Sequence, residues 1–326
     1  MSPSAVSSDE PIVSKNTYRP NIYLLEEFPP AAVEQCQARF HTILPSDPEV
    51  RNWKENAESI LVREKIISAG DIAGAKRLRA IGKQGTGIDI IDKEACDERG
   101  IPILNTPGVN SVSVAELVMA LTMGLKRQLH TISIKQSAGV EVRKEHCQGT
   151  MMSGKSVGII GMGAIGTDVA RMFQGAFGCH IFAYDPFAPE NAWKDIRHTR
   201  VQKFEEMLPE VGMLTLHIPL TPQTRGLISK RHFQMMRSQA VIINVARGGI
   251  IQEDDLVEAL ETGLIAGAGL DCHEVEPPVL GKYSRLWATG RVISTPHIGA
   301  TTVETQVRTA TAAMDRIYEY LNTHRI

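Results

Sequence analysis

No stretch of this chain is long and apolar enough to cross a bilayer. The longest apolar run, Val112 to Leu125, is broken by Ser113, Glu116 and Thr122, and a spanning helix needs about 20 apolar residues. Basic charge is not in excess either. The chain has 35 Lys and Arg against 37 Asp and Glu, a formal net charge of −2, and a pI near 6.6. A protein that coats nucleic acid leaves a basic footprint, so neither nucleic acid nor membrane is expected as a partner. Cysteine is scarce: Cys36, Cys96, Cys147, Cys179 and Cys272 are odd in number, far apart, and form no C-x-x-C pair. That pattern suggests neither a disulfide framework nor a zinc site, and no metal is expected. A reducing, cytoplasmic setting fits it. No secretory leader is expected from the first twenty residues, which are Ser- and Pro-rich and polar; residues 1–20 are expected to be a disordered tail. The ending His324-Arg325-Ile326 loosely echoes a peroxisomal tripeptide, with a frayed helix end as the plainer reading.

What is present is an alternation. A chain of 326 residues is long enough for two domains. From Asn21 on, short apolar runs (21–25, 59–62, 79–82 and 102–105) alternate with amphipathic segments such as 31–40 and 92–100. Such alternation implies a parallel sheet covered by helices. Residues 111–130 predict a longer helix, apolar nearly all round and therefore buried on most sides, between domains or in a subunit contact. A second α/β pattern begins at Val157, with strands expected at 157–160, 180–184, 213–218, 240–245, 266–270 and 292–295. A last helix is expected over 301–321.

The strand at 157–160 runs into GMGAIG, Gly161 to Gly166, which opens an amphipathic helix. In that context the G-x-G-x-x-G pattern reads as a dinucleotide fingerprint. Gly161 permits the tight turn, Gly163 lets backbone approach a pyrophosphate, and Gly166 lets helix and strand pack closely. Asp185 ends the next strand, where a carboxylate accepts from ribose hydroxyls and repels a 2′-phosphate. NAD is therefore expected over NADP.

Three side chains downstream suit chemistry at an alcohol beside a carboxylate. Arg247 follows a strand and offers a guanidinium fork for a carboxylate. His297 also follows a strand and can exchange a hydroxyl proton near neutral pH, with His217 and His273 as competitors. Glu276, before two prolines, would favour the imidazolium of a neighbouring histidine. Glu274 is its rival, and spacing alone does not choose between them.

In order along the chain, GTGIDIID (85–92), NTPGVNSVSVAEL (105–117), GMGAIG, NVARGGII and STPHIGATT resemble signatures of the D-isomer-specific 2-hydroxyacid dehydrogenases. The resemblance runs from about Asn21 to the end. It implies a Rossmann-type NAD-binding domain (111–300) and a discontinuous, flavodoxin-like α/β substrate-binding domain (21–110 and 301–326), with a cleft between them. It also implies catalysis by Arg247, Glu276 and His297. Cofactor contacts are implied at Thr86, Ala164, Ile165, Ile218, Val245, Ala246, Asp271, Gly299 and Ala300, beside the fingerprint glycines and Asp185. The substrate would meet Arg63, Lys83, Gly85, Thr86, Gly87, Asn110 and Arg247. The first half is most similar to the D-3-phosphoglycerate dehydrogenases, with Arg63 at a phosphate-contacting position and Lys83 where that group usually has arginine.

The implied activity is hydride transfer between NAD and C2 of a 2-hydroxy or 2-oxo acid, in a homodimer. The alternatives are a glyoxylate or hydroxypyruvate reductase and, in another class, an NAD(H)-sensing corepressor-like binding protein. The segment 279–291 is longer than usual before the catalytic histidine; its Tyr283 and Trp287 are expected to cover the site or, preferably, to pack at a subunit contact. The chain stops after its last helix, so serine feedback through a carboxy-terminal regulatory domain is not expected.

Overall fold

Two parallel sheets organise the computed structural model, which describes residues 19–324. The expected tail up to residue 18 and the final Arg325-Ile326 lie outside the described residues. Arg19 and Pro20 are tied down: Arg19 donates to the Gln37 carbonyl and Pro20 accepts from the His41 N–H. The chain divides into two compact units, one running to Asn105 and resuming at Ala313, the other Thr106–Ala312.

The first unit contains β1 (Asn21–Leu24), β2 (His41–Ile43), β3 (Ser59–Val62), β4 (Ala80–Lys83) and β5 (Ile103–Asn105), all parallel, in the order β2-β1-β3-β4-β5. This is the flavodoxin-like order, whose connections reverse direction between β1 and β3. β3 and β4 are buried at every residue because helices cover both faces. The end of helix Val303–Thr323 completes this unit. Phe40 meets Tyr318 edge-on at 5.5 Å, and Arg39 pairs with Asp315.

The second unit contains β6 (Ser156–Ile160), β7 (His180–Tyr184), β8 (Thr199–Arg200), β9 (Met213–Leu216), β10 (Val241–Asn244), β11 (Gly267–Leu270) and β12 (Val292–Ser294). Their order is β12-β11-β10-β9-β6-β7-β8, again parallel throughout, with the switch between β6 and β9. This is the Rossmann arrangement. In a parallel sheet every strand ends at the same edge, so the loops after β6, β7, β9, β10, β11 and β12 share one rim. Separate apolar cores fill the two faces. One is built around Phe204, Phe233 and Tyr283, the other around Val118, Phe173 and Ile243.

The helix expected over 111–130 ends at Lys126, because Gln128 turns left-handed (φ 54°) and a second helix, Leu129–Ser137, starts there. The first helix buries Val114, Val118, Leu121 and Leu125 against β10, β11, β12 and the helix Ala164–Phe177. Its other face is open, with Val112 exposed. Among the described residues no helix is long and apolar enough to cross a membrane. The long segment before His297 folds as helix Leu280–Ala288, and Tyr283 sits in the unit's own core, 2% exposed with Trp287 packed against that core, so Tyr283 is available neither to cover the site nor to form the expected subunit contact.

Candidate active site

Gly161 leaves β6 at φ +105°, and a Cβ there would overlap the carbonyl of His217, which follows β9. Only glycine allows these neighbouring strand ends to lie so close at the switch point. A Cβ at Gly166 would likewise overlap the Gly161 carbonyl, whereas one at Gly163 would meet nothing. No side chain caps the helix Ala164–Phe177, so its N-terminal dipole faces that open space. This is a cradle for an anion such as a pyrophosphate.

Asp185, after β7, grips the same turn. Its Oδ2 accepts from the Met162 N–H at 2.9 Å, and its Oδ1 from Phe187 and Ala188. Ile218 lies against Gly161, and Ala164 and Ile165 form the first turn of the helix. Arg200, which sequence reasoning did not single out, donates to the carbonyls of Asp185, Ala188 and Pro189 and so braces the Asp185 loop.

The turn after β10 is shaped by buried Asn244. Its Oδ1 accepts from the Ala246 N–H at 3.1 Å, and its Nδ2 donates to the Arg247 carbonyl at 2.8 Å. Val245 and Ala246 are buried, and Arg247 is half-buried with Nη1 donating to the Ala246 carbonyl at 2.6 Å. A Cβ at Gly248 would overlap the backbone of His273 and Glu274. The Arg247 turn is therefore packed directly on the loop after β11.

That loop carries Asp271, Cys272 and Glu276. Asp271 is fully buried and governs the turn after β12. Its carbonyl accepts from the His297 N–H at 2.8 Å, and its Oδ1 from Thr295 Oγ1 and the Ile298 N–H. Its Oδ2 accepts from the Gly299 N–H. Held this way, His297 sits at φ 58°, a conformation a non-glycine residue keeps only when its surroundings impose it. Its Nδ1 meets Glu276 Oε2 at 2.9 Å, while Glu276 Oε1 accepts from the His273 N–H at 3.0 Å. Glu274 instead pairs with Lys282 at 2.7 Å. Of the two glutamates, Glu276 is the one that meets His297.

The competing histidines are committed elsewhere. Burial pushes His217 down to about 3, with Nε2 on Thr215 Oγ1 at 3.0 Å. Burial also lowers His273, whose Nε2 meets Ser294 Oγ at 2.8 Å. His297 moves the other way. The Cys272 sulfur beside it and the Glu276 carboxylate raise it to about 10, against a smaller effect of burial. Burial raises the Cys272 thiol, so Glu276 supplies the negative charge that sustains the imidazolium at neutral pH. For Glu276, burial opposes ionisation, but hydrogen bonds from His297 and His273 outweigh it and leave its pKa below the usual value. A proton donor–acceptor therefore stands on the rim that carries the anion cradle.

Residues 119–299 match the D-isomer specific 2-hydroxyacid dehydrogenase NAD-binding domain. The chain belongs to the D-isomer-specific 2-hydroxyacid dehydrogenase family. It is 38% identical over 268 residues to a D-3-phosphoglycerate dehydrogenase of Methanocaldococcus jannaschii, covering 82% of this chain and 50% of that protein. This chain thus spans about half the length of that relative. A hydroxypyruvate reductase of Thermotoga maritima is 38% identical over 257 residues, covering 78% of this chain and 81% of the relative. Among solved structures, a Thermus thermophilus protein superposes with TM-score 0.82 at 29% identity, covering 93% of this chain and 97% of that one. A Paecilomyes thermophila glyoxylate reductase gives 0.81 at 27% identity, covering 94% and 96%.

NAD is the cofactor of this family domain, and the open face at Gly163, the uncapped helix and Asp185 fit it. Gly299 is buried and Ala300 half-buried just beyond His297. In the first unit, Arg63 follows β3, and its N–H donates to Glu26 Oε2 at 2.6 Å at that sheet's switch point. Lys83 ends β4 and its ammonium folds onto the Gln84 carbonyl at 2.6 Å, beside Gly85 (φ +100°). Thr86 is exposed, Gly87 is half-buried, and the Thr86 carbonyl accepts from Asn105. Asn110 belongs to the second unit, just before helix Ser111–Lys126. Glu26 and Cys272 escaped sequence reasoning because neither lies in a motif and each acts through a contact distant in sequence; Asn244 opens NVARGGII but was read only as part of a strand, its turn-shaping contacts with Ala246 and Arg247 going unnoticed.

Proposed function

We propose that this chain is an NAD-dependent D-2-hydroxyacid dehydrogenase, with 111–300 binding the cofactor and 21–110 plus 301–326 binding substrate. The observation that carries the reading is the His297–Glu276 pair at 2.9 Å on the rim that also holds the Gly161 turn and Arg247. NAD, when bound, would supply the acceptor for a hydride leaving C2 with its electron pair. His297 takes the hydroxyl proton in that direction and returns it in reduction. Glu276 orients the imidazole and stabilises its charged form, and Arg247 pairs with the substrate carboxylate. A histidine raised to about 10 is already protonated at neutral pH, which favours reduction of a 2-oxo acid there. Oxidation should quicken as pH rises.

Arg63 and Lys83, both at strand ends of the first unit, support 3-phosphoglycerate as substrate. Glu26 supports the second reading, a hydroxypyruvate or glyoxylate reductase, because it already takes the Arg63 and Glu64 N–H groups and adds negative charge where a phosphate would bind. Initial rates with NAD and D-3-phosphoglycerate, and with NADH and hydroxypyruvate or glyoxylate, test both. Arg63→Ala should raise KM for the phosphorylated acid alone if the first reading holds. No turnover on any of these acids would reject both. Exposed Val112, Leu129, Ile134 and Val140 support a homodimer, and a stable monomer by sedimentation at micromolar concentration would refute that. Five free cysteines support a reducing, cytoplasmic setting.

A further inference from the structure

Cys272, Glu276 and His297 each present one ligand atom, and these atoms lie within 4.8 Å of one another. Among the described residues no other cluster of three such groups occurs. Thiolate, carboxylate and imidazole together suit a borderline-soft divalent ion, and three protein donors with a fourth position open is a common zinc arrangement. Bonds of about 2.0–2.3 Å would set tetrahedral donors roughly 3.3–3.6 Å apart. The Nδ1–Oε2 pair at 2.9 Å must open by a few tenths of an ångström, and the sulfur needs to move by an ångström or so. The donors stand on loops after adjacent strands β11 and β12, pinned to each other through Asp271. The glutamate and histidine side chains are 35% and 44% exposed, so an ion can enter from solvent, whereas Cys272 forms the buried wall.

We propose that these three residues form a reversible binding site for a zinc-class divalent cation, and that occupancy shuts the enzyme off. The ion takes the Nδ1 and Oε2 atoms that otherwise bond each other, and binding releases two protons to solvent, one from the Cys272 thiol and one from the His297 imidazolium. The inhibitory half rests on His297 being the proton-transfer residue, as proposed above. The binding half does not.

The experiment is a titration of the purified full chain with zinc chloride and, separately, cobalt chloride. It follows bound metal by equilibrium dialysis, the thiolate-to-cobalt charge-transfer band, and turnover. One zinc per chain, a cobalt band, and loss of turnover in step with occupancy, reversed by EDTA, are expected. Cys272→Ala and Cys272→Val should lose the band and weaken zinc at least tenfold, inhibition being scored against each variant's own metal-free rate. Cys147→Ala should change nothing. The proposal is overturned if cobalt-loaded protein lacks the band, if either Cys272 variant binds zinc as tightly as the parent, or if the metal follows Cys147. If the protein turns over none of the acids, a cobalt band lost on Cys272 substitution still supports the site, so the two failures remain separable.

Discussion

Replacing Glu276 by Gln keeps the side chain's shape and its acceptor for the His273 N–H, but removes the charge facing His297. The imidazole is raised to about 10 in the parent. Without the carboxylate, and with Cys272 a thiol, it should fall to its ordinary value near 6.5 or below. A raised pKa means that the protonated form persists until pH climbs through that value. At pH 8 a group of pKa about 10 is almost wholly protonated, whereas one near 6.5 is about 3% protonated, a ratio of roughly thirtyfold. Solvent around the half-exposed ring screens the carboxylate, which sets the lower end at about tenfold. The assay is the pH dependence of kcat for reduction of a 2-oxo acid by NADH, from pH 6 to 10. The variant should lose activity along a limb near 6.5 and approach the parent at pH 6, apart from a constant factor for poorer orientation. In oxidation the order inverts, and the variant's rising limb appears at lower pH. An equal deficit at pH 6 and pH 8 would refute the reasoning.

Three further outcomes follow from particular contacts. Tyr283 Oη accepts from the Val275 N–H at 2.9 Å and donates to Glu253 at 3.2 Å, bracing the loop before Glu276. Tyr283→Phe should cost about 1–2 kcal/mol and lower kcat several-fold with KM unchanged; a rise in KM alone would contradict this in steady-state kinetics. Gly248→Ala forces a methyl into the His273 backbone, and should lose roughly 1–3 kcal/mol and most turnover; an unaltered melting temperature would count against the packing described. Lys126 is buried, with Nζ on the Gln239 carbonyl at 2.8 Å and its pKa lowered to about 8 by burial and by Lys155. The unfolded lysine holds its proton to higher pH, so stability rises with pH between about 8 and 10.5. Lys126→Met should stabilise by roughly 1–2 kcal/mol at pH 7, and the gain should shrink toward pH 10 in denaturant melts.

Most of the fold was legible because buried parallel strands announce themselves as apolar runs bounded by polar turns. The segments 59–62 and 180–184 read as strands and fold as β3 and β7 over those same residues. The strands β2 and β8 escaped. They are three and two residues long, lie at sheet edges and bury only Ile43 between them, so no apolar pattern marks them. The helix break at Gln128 was hidden because neither Gly nor Pro signals it. At the candidate site, local motifs showed the Gly161 turn, whose glycines are explained by backbone overlap. The left-handed His297 and the hydrogen bonds accepted by Asp271 that impose it depend on the register of β11 against β12, which no local pattern carries. Cys272 was set aside because His297, which the fold brings to it, is 25 positions away in the chain.

The most direct measurement follows the hydrogen on C2. D-3-phosphoglycerate and D-glycerate, each deuterated at C2, are incubated with the chain and NAD, and the NADH is weighed by mass spectrometry. Deuterium is expected in the NADH from at least one of these acids, with no comparable reaction from the L-isomers. NADH without the label, label lost to water, or a preference for the L-isomer would contradict hydride transfer from C2 as placed here.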